Sequence, residues 1–148
     1  MEKLNIAIAD DNALMVQLLD QIVSSDEELR VVGKAGNGEE LIDIIKEKKP
    51  DVVLMDIMPK LDGLAVLDRV NHEPEMKKPA FIVISAVGQE KTTEDAFELG
   101  ADYYILKPFD RDTVLKRIKR ARVKRPGVPV KIKAAETNVN EKEYLERN

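Results

Sequence analysis

Three aspartates, one serine and one lysine are the residues of this chain best placed, by type and spacing, to act together. Asp10 and Asp11 follow the apolar run LNIAIA, and Asp56 closes the run VVLM. Ser85 closes FIVI, and Lys107 follows YYIL. Three carboxylates brought near one another repel unless a cation sits among them. A few oxygen ligands completed by water suit Mg²⁺ or a similar divalent cation. A carboxylate beside such an ion can attack phosphorus and form an aspartyl phosphate. The ion and the Lys107 ammonium would then offset charge on the phosphoryl oxygens, with the Ser85 hydroxyl donating to one of them. Taken singly, each residue has a plainer reading. Asp-Asp or Ser after a strand commonly caps a helix, and Lys-Pro commonly marks a turn. The five acquire a joint meaning only if one sheet delivers them all to one edge.

The elements needed to do that are legible in the hydrophobic pattern. Leu4–Ala9 reads as a strand, and Asn12 can cap the helix after it. In that helix Leu14, Leu18, Leu19, Ile22 and Val23 recur at helical spacing as one buried stripe. Leu29–Ala35 is a more polar strand, expected at a sheet edge. Gly36-Asn37-Gly38 turns into a second helix marked by Leu41, Ile42, Ile44 and Ile45. Pro50 ends that helix and opens the central strand, whose unbroken apolar run implies burial on both faces. Leu64, Val66, Leu67 and Val70 mark a third helix, and Phe81–Ser85 a fourth strand. A helix over about 91–99 stops at Gly100, a natural C-terminal cap. Tyr103–Leu106 is the fifth strand, and Asp110 can cap a last helix reaching about Val123. Five strand-then-helix repeats with short connections predict an α/β fold. It is a five-stranded doubly wound parallel sheet of order 2-1-3-4-5 with helices on both faces. In that order strands 1, 3, 4 and 5 are neighbours. Ligands in such sheets bind beyond the carboxyl ends of the strands.

Composition bounds the alternatives. The chain has 148 residues, 43% hydrophobic and 35% charged, enough for one domain with a sizeable core and a tail. It contains no cysteine, which excludes disulfides, thiolate catalysis and Cys-ligated zinc. Its single histidine, His72, lies in a polar stretch and is expected to be a solvated loop residue, and one histidine cannot supply a multi-histidine metal site. No run approaches the length of a membrane span, and the N-terminus lacks a secretory apolar region, so the cytoplasm is the expected location. The net charge of −4 conceals an asymmetry. Nine Lys or Arg residues lie between Thr113 and Ala135 without an acid, leaving 15 basic against 28 acidic residues elsewhere. The plain reading of the basic run is a solvated helix face and linker, with a partner surface as the functional alternative. Residues 124–148, with Pro126, Gly127 and Pro129, read as a linker.

The set Asp10-Asp11, Asp56, Ser85 and Lys107-Pro108 resembles the receiver domains of two-component response regulators, whose fold is flavodoxin-like. The resemblance covers about residues 4–123. It implies that Asp56 is the phosphoacceptor and that Asp10, Asp11 and Asp56 hold Mg²⁺, together with the backbone carbonyl of Met58. Ser85 and Tyr104 match the family's switch pair, although Tyr104 also reads plainly as a half-buried strand aromatic. Lys107 matches the phosphate-contacting lysine, and the bond to Pro108 is typically cis in the family. The segments LDGLAVLDRV (61–70), GQE (88–90) and LGADYYILKPFD (99–110) resemble receivers that control sporulation in endospore-forming bacteria. The resemblance therefore implies a signalling domain rather than an enzyme, a phosphorelay histidine kinase or phosphotransferase as donor, and a homodimer on activation. It also implies transcription control through a DNA-binding domain absent from this chain, with 1–123 the receiver and 124–148 the start of a linker.

One departure matters. The family pattern D-x-x-M-P-x-x-D-G is shortened here to DIMPKLDG, one residue fewer after Asp56. The shortening displaces the Met58 carbonyl and is expected to weaken ion binding. Two rivals follow: a receiver-like interaction scaffold with an impaired metal site, or a Mg²⁺-dependent phosphatase working through an aspartyl phosphate. The second commonly needs an acid two residues past the nucleophile, where this chain has Met58.

Overall fold

The alternation of side chains along each strand builds two cores at once. In a strand, successive side chains point to opposite faces, so a central strand apolar at every position must be covered on both sides. The computed structural model describes residues 3–57 and 63–121. In it β1 (Leu4–Ala9), β2 (Leu29–Ala35), β3 (Val52–Asp56), β4 (Ala80–Ser85) and β5 (Tyr103–Leu106) form one parallel sheet of order β2-β1-β3-β4-β5. The predicted topology holds. Ile6, Ile8, Leu54, Ile82, Ile84 and Ile105 face α1 (Ala13–Ser24) and α5 (Arg111–Ala121), meeting Leu19, Ile22, Val23, Val114 and Ile118. Ala7, Val53, Met55, Phe81, Val83 and Tyr104 face α2 (Gly38–Lys48), α3 (Gly63–Asn71) and α4 (Glu90–Glu98), meeting Leu41, Ile45, Leu67, Val70 and Ala96. At roughly 1.5–3 kcal/mol for each large apolar side chain buried, these two layers are the main source of stability.

Local chemistry sets where the helices begin and end. The Asn12 side chain accepts from the N–H groups of Leu14 and Met15 and so caps α1. Asn37 accepts from Glu40 N–H at the head of α2, and the Glu40 carboxylate reaches back to Gly36 N–H. That helix stops before Pro50, where Lys49 takes a left-handed φ of 48°. Gly100, with φ 115°, closes α4, as its position implied. The Asp110 side chain caps α5 through Thr113 N–H.

Two expectations need correction. Leu14 and Leu18 were placed in the buried stripe of α1, but they are 76% and 43% exposed. The face of α1 turned to the sheet carries Leu19, Ile22 and Val23, with Met15 and Val16 partly buried against the same core, and Leu14 and Leu18 lie on the flank of that face. The basic helix face is not wholly solvated either. Arg117 is buried, its guanidinium 5.7 Å from the centre of the Tyr103 ring, an arrangement favourable to a cation. Lys119 binds Asp26 at 2.6 Å and Glu28 at 3.2 Å, tying α5 to the turn before β2. The tail 124–148, read as a linker, and the last basic residues of the run lie outside the described residues.

The edge strand β2 carries a bulge. Ile6 pairs with Val31 but Ala7 with Gly33, so Val32 is the extra residue. A Cβ on Gly33 would lie 2.6 Å from Ile44 Cγ2, closer than packing permits. Gly33→Ala is expected to cost about 1–3 kcal/mol through overpacking. Ile44→Ala removes the obstructing methyl, so the double variant should lose clearly less than the two single losses added. Urea unfolding of the four proteins measures this, and strict additivity would refute the contact.

Candidate functional site

The register of β1 against β3 brings the first acids together. Ala9 pairs with Met55, so Asp10 lies one step on, beside Asp56 at the end of β3. Asp10 N–H donates to Ala35 O of β2 at 3.0 Å, which keeps the chain extended past the last strand residue. One carboxylate oxygen each from Asp10, Asp11 and Asp56 lies within 4.8 Å of the others, the only such acidic group among the described residues. Asp10 and Asp56 are buried, whereas Asp11 is exposed. By strand alternation Asp10, Asp56 and Lys107 lean toward the α1–α5 side and Ser85 toward the other.

From the far side, β4 and β5 deliver the hydroxyl and the amine. Ser85 pairs with Leu106, and Lys107 N–H donates to Ser85 O at 2.7 Å. The Lys107 ammonium then reaches back to within 3.6 Å of Asp56 Oδ2. Ser85 is fully buried, and its hydroxyl has no hydrogen-bond partner among the described residues. A buried hydroxyl without a partner carries a cost that an incoming acceptor would relieve. The Lys107–Pro108 peptide bond is cis. Tyr104 is buried with its ring edge-on to Phe97, centroids 6.2 Å apart, inside the α2–α3–α4 core. Met58 lies outside the described residues, and with it the shortened loop.

Electrostatics at the edge is unbalanced. Two charges about 4 Å apart at an effective dielectric near 20 interact by roughly 4 kcal/mol. Burial pushes the Asp10 carboxyl up from 3.8 to about 6. The Asn12 N–H, 2.8 Å from Asp10 Oδ1, opposes this rise, and the neighbouring Asp56 charge adds to it. The other oxygen, Asp10 Oδ2, is buried with no hydrogen-bond partner among the described residues. An orphaned carboxylate oxygen facing two more carboxylates is a donor set that fits a hard divalent cation.

Some of what builds the site escaped the sequence. The Asn12 backbone N–H holds Asp10, although only the side-chain cap was foreseen. Gly63 packs behind β3, where a Cβ would lie 3.1 Å from Met55 Cε, so α3 can begin close to Asp56. Gln89 accepts from Ala86 N–H beside Ser85. The motif GQE was visible in the sequence, but nothing in it showed that contact.

The family model for the response regulator receiver domain matches residues 6–119. Among solved structures, the chain is similar to the signal receiver domain of NarL from Mycobacterium tuberculosis, at 28% identity and TM-score 0.75. That match covers 84% of this chain and all of the other. It is also similar to the response regulator domain of CheB from Thermotoga maritima, at 29% identity and TM-score 0.74, over 84% of this chain and all of the other. A third similar structure is a signal receiver domain from Bermanella marisrubri, at 29% identity and TM-score 0.75, over 82% and 99% of the two chains.

The raised Asp10 pKa has a measurable consequence. The folded carboxyl holds its proton up to about pH 6, while the unfolded chain releases it near 3.8. Between those values the folded state binds more protons, so this group lowers stability as pH rises, with the full penalty above about 6. In chelator, Asp10→Asn should melt higher than wild type at pH 8, and the gap should shrink as pH falls through 6 toward 4. Equal melting at pH 8 would contradict this account.

Proposed function

The chain belongs to the response regulator receiver domain family, and on that premise we propose that Asp56 is its phosphoacceptor. The observation that carries the reading is the meeting of Asp10, Asp11 and Asp56 with the Lys107 ammonium 3.6 Å from Asp56. In the transfer, an Asp56 carboxylate oxygen forms a bond to phosphorus as the donor's phosphorus–nitrogen or phosphorus–oxygen bond breaks. The electron pair of that broken bond leaves with the imidazole of a phosphohistidine, or with acetate from acetyl phosphate. Asp10, Asp11 and Asp56, with the Met58 carbonyl, would hold Mg²⁺, which supplies charge neutralisation at the phosphoryl oxygens. Lys107 holds one of those oxygens, and Ser85, whose hydroxyl has no other partner among the described residues, donates to another. That pull couples Ser85 to Tyr104 and so to the packing of α4 and β5, the surface through which an activated homodimer forms.

The finer reading follows the same premise. The donor is a histidine kinase or a phosphotransferase of a phosphorelay, the setting is the cytoplasm, and the output is transcription control at the start of sporulation. DNA contact belongs to a DNA-binding domain reached through residues 124–148. What supports this is the similarity of residues 61–70, 88–90 and 99–110 to sporulation receivers. No helix among the described residues is long and apolar enough to cross a membrane.

Acetyl phosphate with Mg²⁺ tests the site. Intact mass should show one phosphoryl group on wild type and none on Asp56→Ala. Lys107→Ala should react roughly 10–100-fold more slowly, the worth of one hydrogen bond to a charged group. Phosphorylation that persists in Asp56→Ala would sink the assignment.

The lifetime of the product is a separate matter. Met58 and Val87 stand two residues beyond Asp56 and Ser85, and Val87 is 80% exposed. Neither side chain can orient an attacking water, so the phosphoryl group should survive for many minutes after the donor is removed. Loss within seconds, followed by mass, would refute this.

A further inference from the structure

The turn from β4 into α4 is closed by a hydrogen bond that uses a donor beside the site. Ala86 N–H donates to the side-chain oxygen of Gln89 at 2.6 Å, and Gln89 N–H returns a bond to Ala86 O at 3.1 Å. Gly88 N–H donates to the Glu90 carboxylate at 3.1 Å. The direction of the Ala86 N–H follows from the strand before it. Ile84 O accepts from Ile57 N–H on the β3 side, whereas Ser85 O accepts from Lys107 N–H on the β5 side. Backbone groups alternate along a strand, so the next N–H, that of Ala86, points toward β3 just past Asp56. It is a backbone donor aimed at the space where a group carried by Asp56 would extend, and Gln89 already occupies it.

We propose that Gln89 is a latch, its side-chain oxygen holding the Ala86 N–H until a phosphoryl oxygen on Asp56 displaces it. The inference rests on the reading of Asp56 as phosphoacceptor. One N–H cannot serve both acceptors at full strength, and a charged phosphoryl oxygen forms the stronger bond. The exchange has a lever. Gln89 makes no side-chain cap to α4, but its carbonyl accepts from both the N–H (2.9 Å) and the hydroxyl (2.8 Å) of Thr93, which is fully buried. Gly88, at φ 98° with nothing near its Cα in the side-chain direction, lets the turn reshape. Release of the amide therefore loosens the turn while the first turn of α4 stays anchored to the Gln89 backbone. Gln89 acts on the transfer as a positioning residue that holds the site back.

Rates of Asp56 phosphorylation by acetyl phosphate with Mg²⁺, followed by intact mass, test the latch in Gln89→Ala and Gln89→Glu. Removing the competing acceptor should speed Gln89→Ala by about 3–10-fold, the net worth of one hydrogen bond. Gln89→Glu keeps an acceptor and adds a charge that repels the phosphoryl group, so it should react more slowly than wild type. A merely loosened turn would move both variants in one direction. Amide exchange of Ala86 should be faster in unphosphorylated Gln89→Ala than in wild type, and equal in the two once phosphorylated. Gln89→Ala no faster than wild type, or both variants slowed, would overturn the latch while leaving Asp56 in place. A wild type that takes no phosphoryl group would instead overturn the Asp56 reading, and the latch with it.

Discussion

Crowding of like charge at one rim of the sheet is the constraint on which the rest of this structure depends. Asp10 and Asp56 are buried side by side, with Asp11 at the surface of the same cluster. Water can screen only part of that repulsion. The Asn12 backbone N–H and the Lys107 ammonium stand against it, and among the described residues Asp10 Oδ2 has no donor. Burying carboxylates in this way is unfavourable unless a cation or a firm framework holds them. The framework here is the pair of apolar layers on the two faces of the sheet.

Those layers explain why the site can be rigid where it must be and adjustable where it must move. Every residue of β3 and β4 is buried, so Asp56 and Ser85 are fixed by strands that cannot shift without opening both cores. Gly63 lets α3 begin close behind β3. Freedom is left to the turns past the strand ends. The turn from Ala86 to Gln89 is one, closed by two side-chain acceptors rather than by packing. The switch proposed above would therefore exchange hydrogen-bond partners with little rearrangement of the core.

The surface charge follows the same division of labour. Glu90, Glu94, Asp95 and Glu98 lie on α4, while Lys116, Arg117, Lys119 and Arg120 lie on α5. Some of those cations are engaged within the fold: Arg117 lies against the Tyr103 ring, and Lys119 pairs with Asp26 and Glu28. Opposite charge on two helices flanking one edge strand remains a feature that a partner could read, but part of the basic run has a structural role in holding α5 to the sheet.

Much of this protein was legible in its sequence because the governing signals are local. Apolar runs of strand length alternating with helical stripes determine a parallel sheet and its order, since short crossovers leave few other topologies. The same runs end at Asp10, Asp56, Ser85 and Lys107, so the chemistry of the rim could be read from where each strand stops. Caps at Asn12, Asn37 and Asp110 were visible or nearly so, because an N-cap needs only a side-chain oxygen a few residues from the backbone N–H that donates to it. The rest depends on residues far apart in the chain. Helical spacing cannot say which flank of an apolar stripe meets the sheet, which is why Leu14 and Leu18 are in solvent while Met15, Val16 and Leu19 pack inward. Charge in a basic run cannot show that Arg117 would find an aromatic face or Lys119 two acids near residue 27. The raised pKa of Asp10 and the contact of Gln89 with Ala86 arise from burial and from the path of a turn. Those are properties of the packed chain, and only its tertiary structure could decide them.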